Sequence, residues 1–233
     1  MDYAFVDFRI TEEEKFNLER LGCNVVLCPP CNLLYDAICG HPDILIHFIS
    51  KNHILVHKDM DQSFITLLEN LNFKVDLTKN NLASNYPKDI ILNAINLKNY
   101  FIHNIKATDN KLLELVSDKA LIHVNQGYTK CSTAIISSNA LITNDISIYK
   151  ALKETNIDVL LLPPGDIELP GLDSGFIGGT CGLLKNSVVF FGTLEKYKYG
   201  EKVLDFLRRY NITPIYLSDT PLIDRGSIFF IEL

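Results

Sequence analysis

The sequence predicts an α/β protein built as a closed ring of five β-β-α-β units, an α/β propeller with one unit split between the termini. Three observations carry that prediction. Turn residues Asn52, Lys98, Asn139 and Asn186 recur 46, 41 and 47 residues apart, the mark of a repeat architecture. Each turn joins two apolar-rich runs and is followed by a helical stripe and another strand. A strand, helix and strand open the chain and a lone strand ends it, so five units account for all 233 residues.

In chain order, the split unit begins with strand Tyr3 to Phe8, helix Thr11 to Leu21 and strand Asn24 to Leu27. The first complete unit pairs Asp43 to Phe48 with His53 to His57 across the polar turn Ser50-Lys51-Asn52. Its helix spans Met60 to Leu71, with Phe64, Ile65, Leu67, Leu68 and Leu71 as the apolar stripe, and Phe73 to Leu77 follows as a strand. The next unit pairs Asp89 to Ile95 with Tyr100 to Ile105, opens a helix at Thr108 as N-cap, and ends in Ala120 to Val124. The following unit has Cys131 to Ile136, Ala140 to Thr143, a helix from Asp145 and strand Ile157 to Leu162. The last complete unit has Ile177 to Leu184, Val188 to Phe191, a helix through Leu204 and Leu207, and Ile212 to Leu217. Ser227 to Leu233 then pairs with Tyr3 to Phe8, which leaves the ring no open seam. The rival arrangement is an open mixed sheet with unrelated spacings. Pro163-Pro164-Gly165 and Pro170-Gly171 mark loops between units.

Composition narrows the function classes. With 47% hydrophobic residues, the chain is expected to bury one continuous core as a single domain over residues 1–233. A net charge of -6 supplies no basic field for a nucleic-acid backbone, so nucleic acid is not expected as a partner. No apolar run nears the roughly 18 residues of a membrane span, and Met1-Asp2-Tyr3 places an acid where a secretory leader is basic. A cytoplasmic location with no membrane partner is the expectation. Six cysteines are then expected as free thiols, whose use would be nucleophilic or metal-binding.

Several segments bear on the chemistry. Gln126-Gly127-Tyr128-Thr129-Lys130-Cys131-Ser132 and Gly175-Phe176-Ile177-Gly178-Gly179, set in five such units, look most like an uncharacterised family with the pentein fold. That fold is shared by guanidino-group-modifying enzymes, among them arginine and agmatine deiminases, dimethylarginine hydrolases and amidinotransferases, and the resemblance covers the whole chain. His41-Pro42-Asp43 is similar to the His-x-Asp of arginine deiminases. Thr129 to Ile136 is similar to the strand that holds the nucleophilic cysteine of dimethylarginine hydrolases, and His41 and Cys131 lie two units apart, as in those enzymes. Two departures stand beside this. A further unit follows the cysteine unit, which is last in the known enzymes, and no Glu-Gly-Gly-Asp segment is found.

The resemblance implies an amidine hydrolase or amidinotransferase that acts on a small guanidino cation without a cofactor. Cys131 would attack the guanidinium carbon, His41 would protonate the departing amine, and the thiouronium would pass to water or an acceptor amine. Asp43 would hold the guanidinium through two parallel hydrogen bonds. Asp7, Gln126, Gly178 and Gly179 are implied as substrate-binding positions. The bland readings are a buried apolar cysteine at Cys131, a turn residue at His41 and a turn cap at Asp43. Cys181, behind Gly178-Gly179 but several residues into its strand, is the rival nucleophile. Zinc on Cys23, Cys28, Cys31 and Cys39, or a metal on His47, His53 and His57, fits no standard spacing, and no metal is expected. The competing function class is a pentein that binds a ligand or macromolecule without catalysis.

Overall fold

A computed structural model describes residues 1–233. It contains five three-stranded sheets, which fit the five repeated units. The split unit holds β1 (Asp2–Asp7), α1 (Glu12–Arg20) and β2 (Cys23–Cys28). The first complete unit holds α2 (Pro42–Leu45), β3 (Ile46–Ser50), β4 (His53–Val56), α3 (Gln62–Asn70) and β5 (Lys74–Leu77). Next come β6 (Ile95–Asn96), β7 (Tyr100–His103), α4 (Asn110–Leu115) and β8 (Ala120–His123), then β9 (Thr133–Ser137), β10 (Ala140–Thr143), α5 (Ile146–Leu152) and β11 (Asp158–Leu161). The last complete unit has β12 (Cys181–Leu184), β13 (Ser187–Phe190), α6 (Gly200–Arg209) and β14 (Thr213–Tyr216), and the chain ends in β15 (Phe229–Glu232).

Every sheet has the same plan. A central strand pairs antiparallel with one neighbour and parallel with the strand beyond its helix. β15 supplies the antiparallel partner of β1, from Asp2↔Glu232 to Phe5↔Phe229, so both termini share one sheet.

Helix starts follow from their caps. Thr11 and Glu14 form a reciprocal capping box on α1, and Asp61, Asp109 and Asp145 cap α3, α4 and α5 with their carboxylates. Thr108 is therefore not the cap of α4. Its hydroxyl instead meets His103 Nδ1 at 2.7 Å, beside the stronger acceptor that follows it in sequence.

The central strands are apolar on both faces because each face packs against a different unit. On β1, Phe5 joins the cluster containing β4 and Phe101 of β7, whereas Ala4 and Val6 join Val189 of β13. On β7, Ile102 packs with Leu141 of β10, while Ala140 and Ile142 turn toward Val188 and Phe190 of β13. The apolar clusters thus connect the sheets in cyclic order. Such two-sided burial explains the unbroken apolar runs in these strands. No helix is long and apolar enough to cross a membrane.

The inner strands start later than their apolar patterns suggest. Asp43 to Leu45 belong to α2, where Pro42 fits the first turn of a helix, and β3 begins at Ile46. Of Asp89 to Ile95 only the last residue is strand, β9 starts at Thr133 rather than Cys131, and Ile177 to Thr180 form a 3₁₀ turn before β12. At each of these mouths the chain coils before it extends. Side chains there can converge on a common space instead of alternating across a sheet.

Candidate active site

His41 is the N-cap residue of α2 and is 1% exposed. Its backbone is fixed by the facing turn, where Asp43 N donates to Gly226 O at 3.1 Å. Gly226 has φ +68, and a Cβ there would lie 2.3 Å from His41 Cβ, so only glycine permits the approach. Neither imidazole nitrogen has a hydrogen-bond partner, and Nδ1 lies 4.0 Å from Asp224 Oδ1. A buried polar ring with both nitrogens unused is a rare and informative feature.

Asp224 is also buried, and its carboxylate accepts from Phe176 N at 2.9 Å and Gly226 N at 3.0 Å. Burial pushes this carboxyl above its ordinary range, and His41 offsets only part of that rise. Asp224 was not among the residues singled out from sequence. The available signal was positional, because Asp224-Arg225-Gly226-Ser227 precedes β15 much as His41-Pro42-Asp43 precedes β3. Ser227, with φ +74, holds a backbone conformation uncommon outside glycine.

Cys131 sits in the turn before β9, 2% exposed. Asn93 fastens it: its side-chain oxygen accepts from the backbone N–H groups of Lys130 and Cys131, and its amide donates to Asp43 O. The Cys131 thiol donates to Asp43 Oδ2 at 3.0 Å. Ser227 Oγ donates to the same oxygen at 2.7 Å while accepting from Lys130 Nζ at 2.8 Å, giving a buried relay from amine through hydroxyl and carboxylate to thiol. Burial, then the charge of Asp43 and of Asp224, pushes the Cys131 thiol well up, and only Lys130 pulls it down. Asn93 and Ser227 are fully buried polar residues that carry no sequence motif.

His41, Cys131 and Asp224 converge, their ligand-type atoms all within 4.8 Å of one another. They form one end of a cavity of about 350 Å³. Tyr35, Tyr128 and Phe176 provide its aromatic walls, with Tyr128 and Phe176 stacked at 6.1 Å. Leu169, Leu172 and Asp173 complete the lining, and of these Leu172 and Asp173 are exposed, which marks the solvent side of the cavity. His41, Cys131 and Asp224 are also the one group of three side chains close enough to share a metal ion.

The other expected residues fall elsewhere. Asp43 stands behind Cys131, one oxygen taken by the thiol and Ser227, so Asp224 is the carboxylate in the cavity wall. Asp7 is not a cavity residue: Arg9 grips it through two hydrogen bonds and also holds Ala37 O, thereby tethering the loop that carries Tyr35 and Ile38. Gln126 also lies outside the cavity lining, where it links Asp145 to the backbone N–H of Tyr128. Gly178 and Gly179 pack rather than line, since a Cβ would lie 2.3 Å from Lys130 O at the first and 1.8 Å from Asp224 Oδ1 at the second. Cys181 opens β12 opposite Phe190, with its sulfur 3.5 Å from Ile177 O, and is not in the lining of the cavity that holds His41 and Asp224. His47 bonds Leu92 O, His53 bonds Asp76, and burial lowers His47 and His57 to about 4. All six cysteines are free thiols.

The chain belongs to the family described as "Family of unknown function (DUF6873)", whose model matches residues 5–229. No curated protein matches it. Among solved structures it is similar to SxtG, an amidinotransferase from Microseira wollei, with a TM-score of 0.58 and 13% identity over 92% of this chain and 76% of that one. A dimethylarginine dimethylaminohydrolase from Pseudomonas aeruginosa, complexed with citrulline, matches with a TM-score of 0.56 and 9% identity over 93% and 92% of the two chains. The agmatine deiminase of C. jejuni gives 0.55 and 12% identity over 93% and 86%. The fold is therefore that of the pentein enzymes.

Proposed function

We propose that this protein modifies guanidino groups, as an amidine hydrolase or an amidinotransferase, through a covalent intermediate on Cys131. The observation that carries the reading is the convergence of buried His41, Cys131 and Asp224 at one end of a cavity. The fold supports it, and the cyclic packing of the five sheets supports a closed ring and a single domain.

A bound guanidinium places its delocalised charge beside Asp224, with Asp43 close behind. Substrate charge offsets the carboxylates that hold the Cys131 proton in place. Cys131 passes its proton to His41 as the S–C bond forms. That proton goes to the departing amine as the C–N bond breaks, leaving a thiouronium on sulfur. His41 then takes a proton from water or an acceptor amine, whose oxygen or nitrogen bonds to the carbon. The C–S bond breaks and the sulfur recovers the proton from His41.

The raised thiol favours the competing reading of a non-catalytic binding module, in which Cys131 stays protonated. One experiment separates the two. A haloacetamidine, an amidinium with a leaving halide, should alkylate Cys131 about tenfold faster than neutral iodoacetamide, as one favourable charge contact would provide. Asp224→Asn should remove that preference. Equal rates with both reagents favour the binding module, and mass mapping of the amidine to Cys181 moves the nucleophile.

A further inference from the structure

The rest of the cavity is unusual in what it lacks. No lysine or arginine lines it. The basic side chains around it are committed: Arg9 to Asp7, Arg225 to Glu14, Lys130 to Ser227 and Gly178 O, and Lys196, which lines an adjoining cavity with Asp173, to Asp219. The lining acids are Asp224 at the buried end and Asp173, which is exposed and forms no ion pair.

The hydroxyl donors are spent as well. Tyr128 OH donates to the buried Asp89 carboxylate, so the 3.1 Å contact between the two phenols requires Tyr35 OH to donate to Tyr128. Ser174 Oγ donates to Gly175 O. Apart from His41, the side chains lining the cavity therefore offer acceptors, aromatic faces and aliphatic surface. A carboxylate entering it would lose water without gaining a charged partner, whereas a cation meets the Asp224 carboxylate where the cavity is buried, the Asp173 carboxylate where it is exposed, and aromatic faces in its walls.

Building on the guanidino reading of the site, we infer that the cavity selects guanidines that carry no carboxylate, and that Asp173 reads the far end of the substrate as an ammonium. The substrate class is an ω-guanidino alkylamine, with amino-acid guanidines rejected. Asp173 is then the specificity-determining residue. Its exposure makes it replaceable without disturbing the buried end of the cavity.

The test compares 4-guanidinobutylamine, n-butylguanidine and L-arginine in two assays: protection of Cys131 from a haloacetamidine, and calorimetric binding to the Cys131→Ser variant. The expected order of affinity is the amine first, butylguanidine second and arginine last, with about tenfold between first and last. Asp173→Asn should bring the amine level with butylguanidine, and Asp173→Lys should move arginine above the amine. Arginine binding as tightly as the amine to the unaltered mouth, or an order that ignores both Asp173 variants, overturns the inference while amidine labelling of Cys131 still stands. Failure of the amidine to label Cys131 in the absence of competitor removes the guanidino reading and this inference with it.

Discussion

Cys131 and Cys181 occupy comparable stations in adjacent units, yet their surroundings differ in kind. Each lies at the approach to an inner strand, and each is 2% exposed. Burial raises both thiols, Cys181 to about 11. At Cys181 the sulfur packs in a cluster with Val188, Phe190 and Ile177. At Cys131 the sulfur donates to Asp43 and shares a cavity end with His41 and Asp224. Thiol chemistry is therefore decided by the groups that share the wall, and burial alone does not distinguish the two sites.

The largest effect that can break this contrast is on turnover. With an ω-guanidino alkylamine as substrate, Cys131→Ala should lower kcat/KM at least about a thousandfold, since no other nucleophile reaches the carbon. Cys181→Ala should stay within about threefold of the parent, as expected of a group that never touches substrate. A steady-state assay in which the two variants exchange these values would make Cys181 the nucleophile.

The contrast also shows what a sequence exposes and what it hides. The central strands are legible because two-sided burial writes them as continuous apolar runs such as His53 to Val56 and Ala140 to Thr143. The split unit is legible because its pieces complete the repeat. His41 and Cys131 were recognisable through short motifs. Asp224 was not, since Asp-x-Gly-Ser reads as an ordinary turn until Gly226 is seen against His41. Asp7 misled for the opposite reason: an acid at the end of a strand looks available, and only the tertiary structure brings Arg9 across it. The late inner strands share one cause with these misses, because the mouths are turns and turn residues lose the period-two pattern on which a strand reading depends.

A smaller effect sharpens the comparison through pH. Asp43 raises the Cys131 thiol both by its charge and by accepting its proton. Asp43→Asn removes the charge, so the thiol deprotonates at lower pH and more thiolate is present near neutrality. Alkylation of Cys131 by neutral iodoacetamide at pH 8 should therefore rise by about three- to tenfold, and its rate profile should shift toward lower pH. Cys181 should keep its profile. An unmoved or upward-shifted Cys131 profile would mean that Asp43 does not hold the proton.

The smallest expected effect is on stability, and it probes the two walls without any substrate. Replacing Cys131 by serine keeps a donor next to Asp43 Oδ2, which lies 3.0 Å from the sulfur, close to ordinary O–H···O range. The new hydroxyl is satisfied, and Cys131→Ser should cost less than about 1 kcal/mol. Replacing Cys181 by serine puts a hydroxyl among Ile177, Val188 and Phe190, where the sulfur's acceptor, Ile177 O, is 3.5 Å away and too far for a good O–H···O bond. That hydroxyl finds only the neighbouring Thr180 side chain, itself bonded to Ile177 O, in otherwise mostly apolar surroundings, at about 1–2 kcal/mol. For a chain of this size the difference should appear as a thermal midpoint about 2–6 °C lower for Cys181→Ser than for Cys131→Ser. The reverse order in thermal denaturation would show that Cys131 is held by apolar packing and Cys181 by polar contact, which would undo the distinction between the two thiols from the side of the fold.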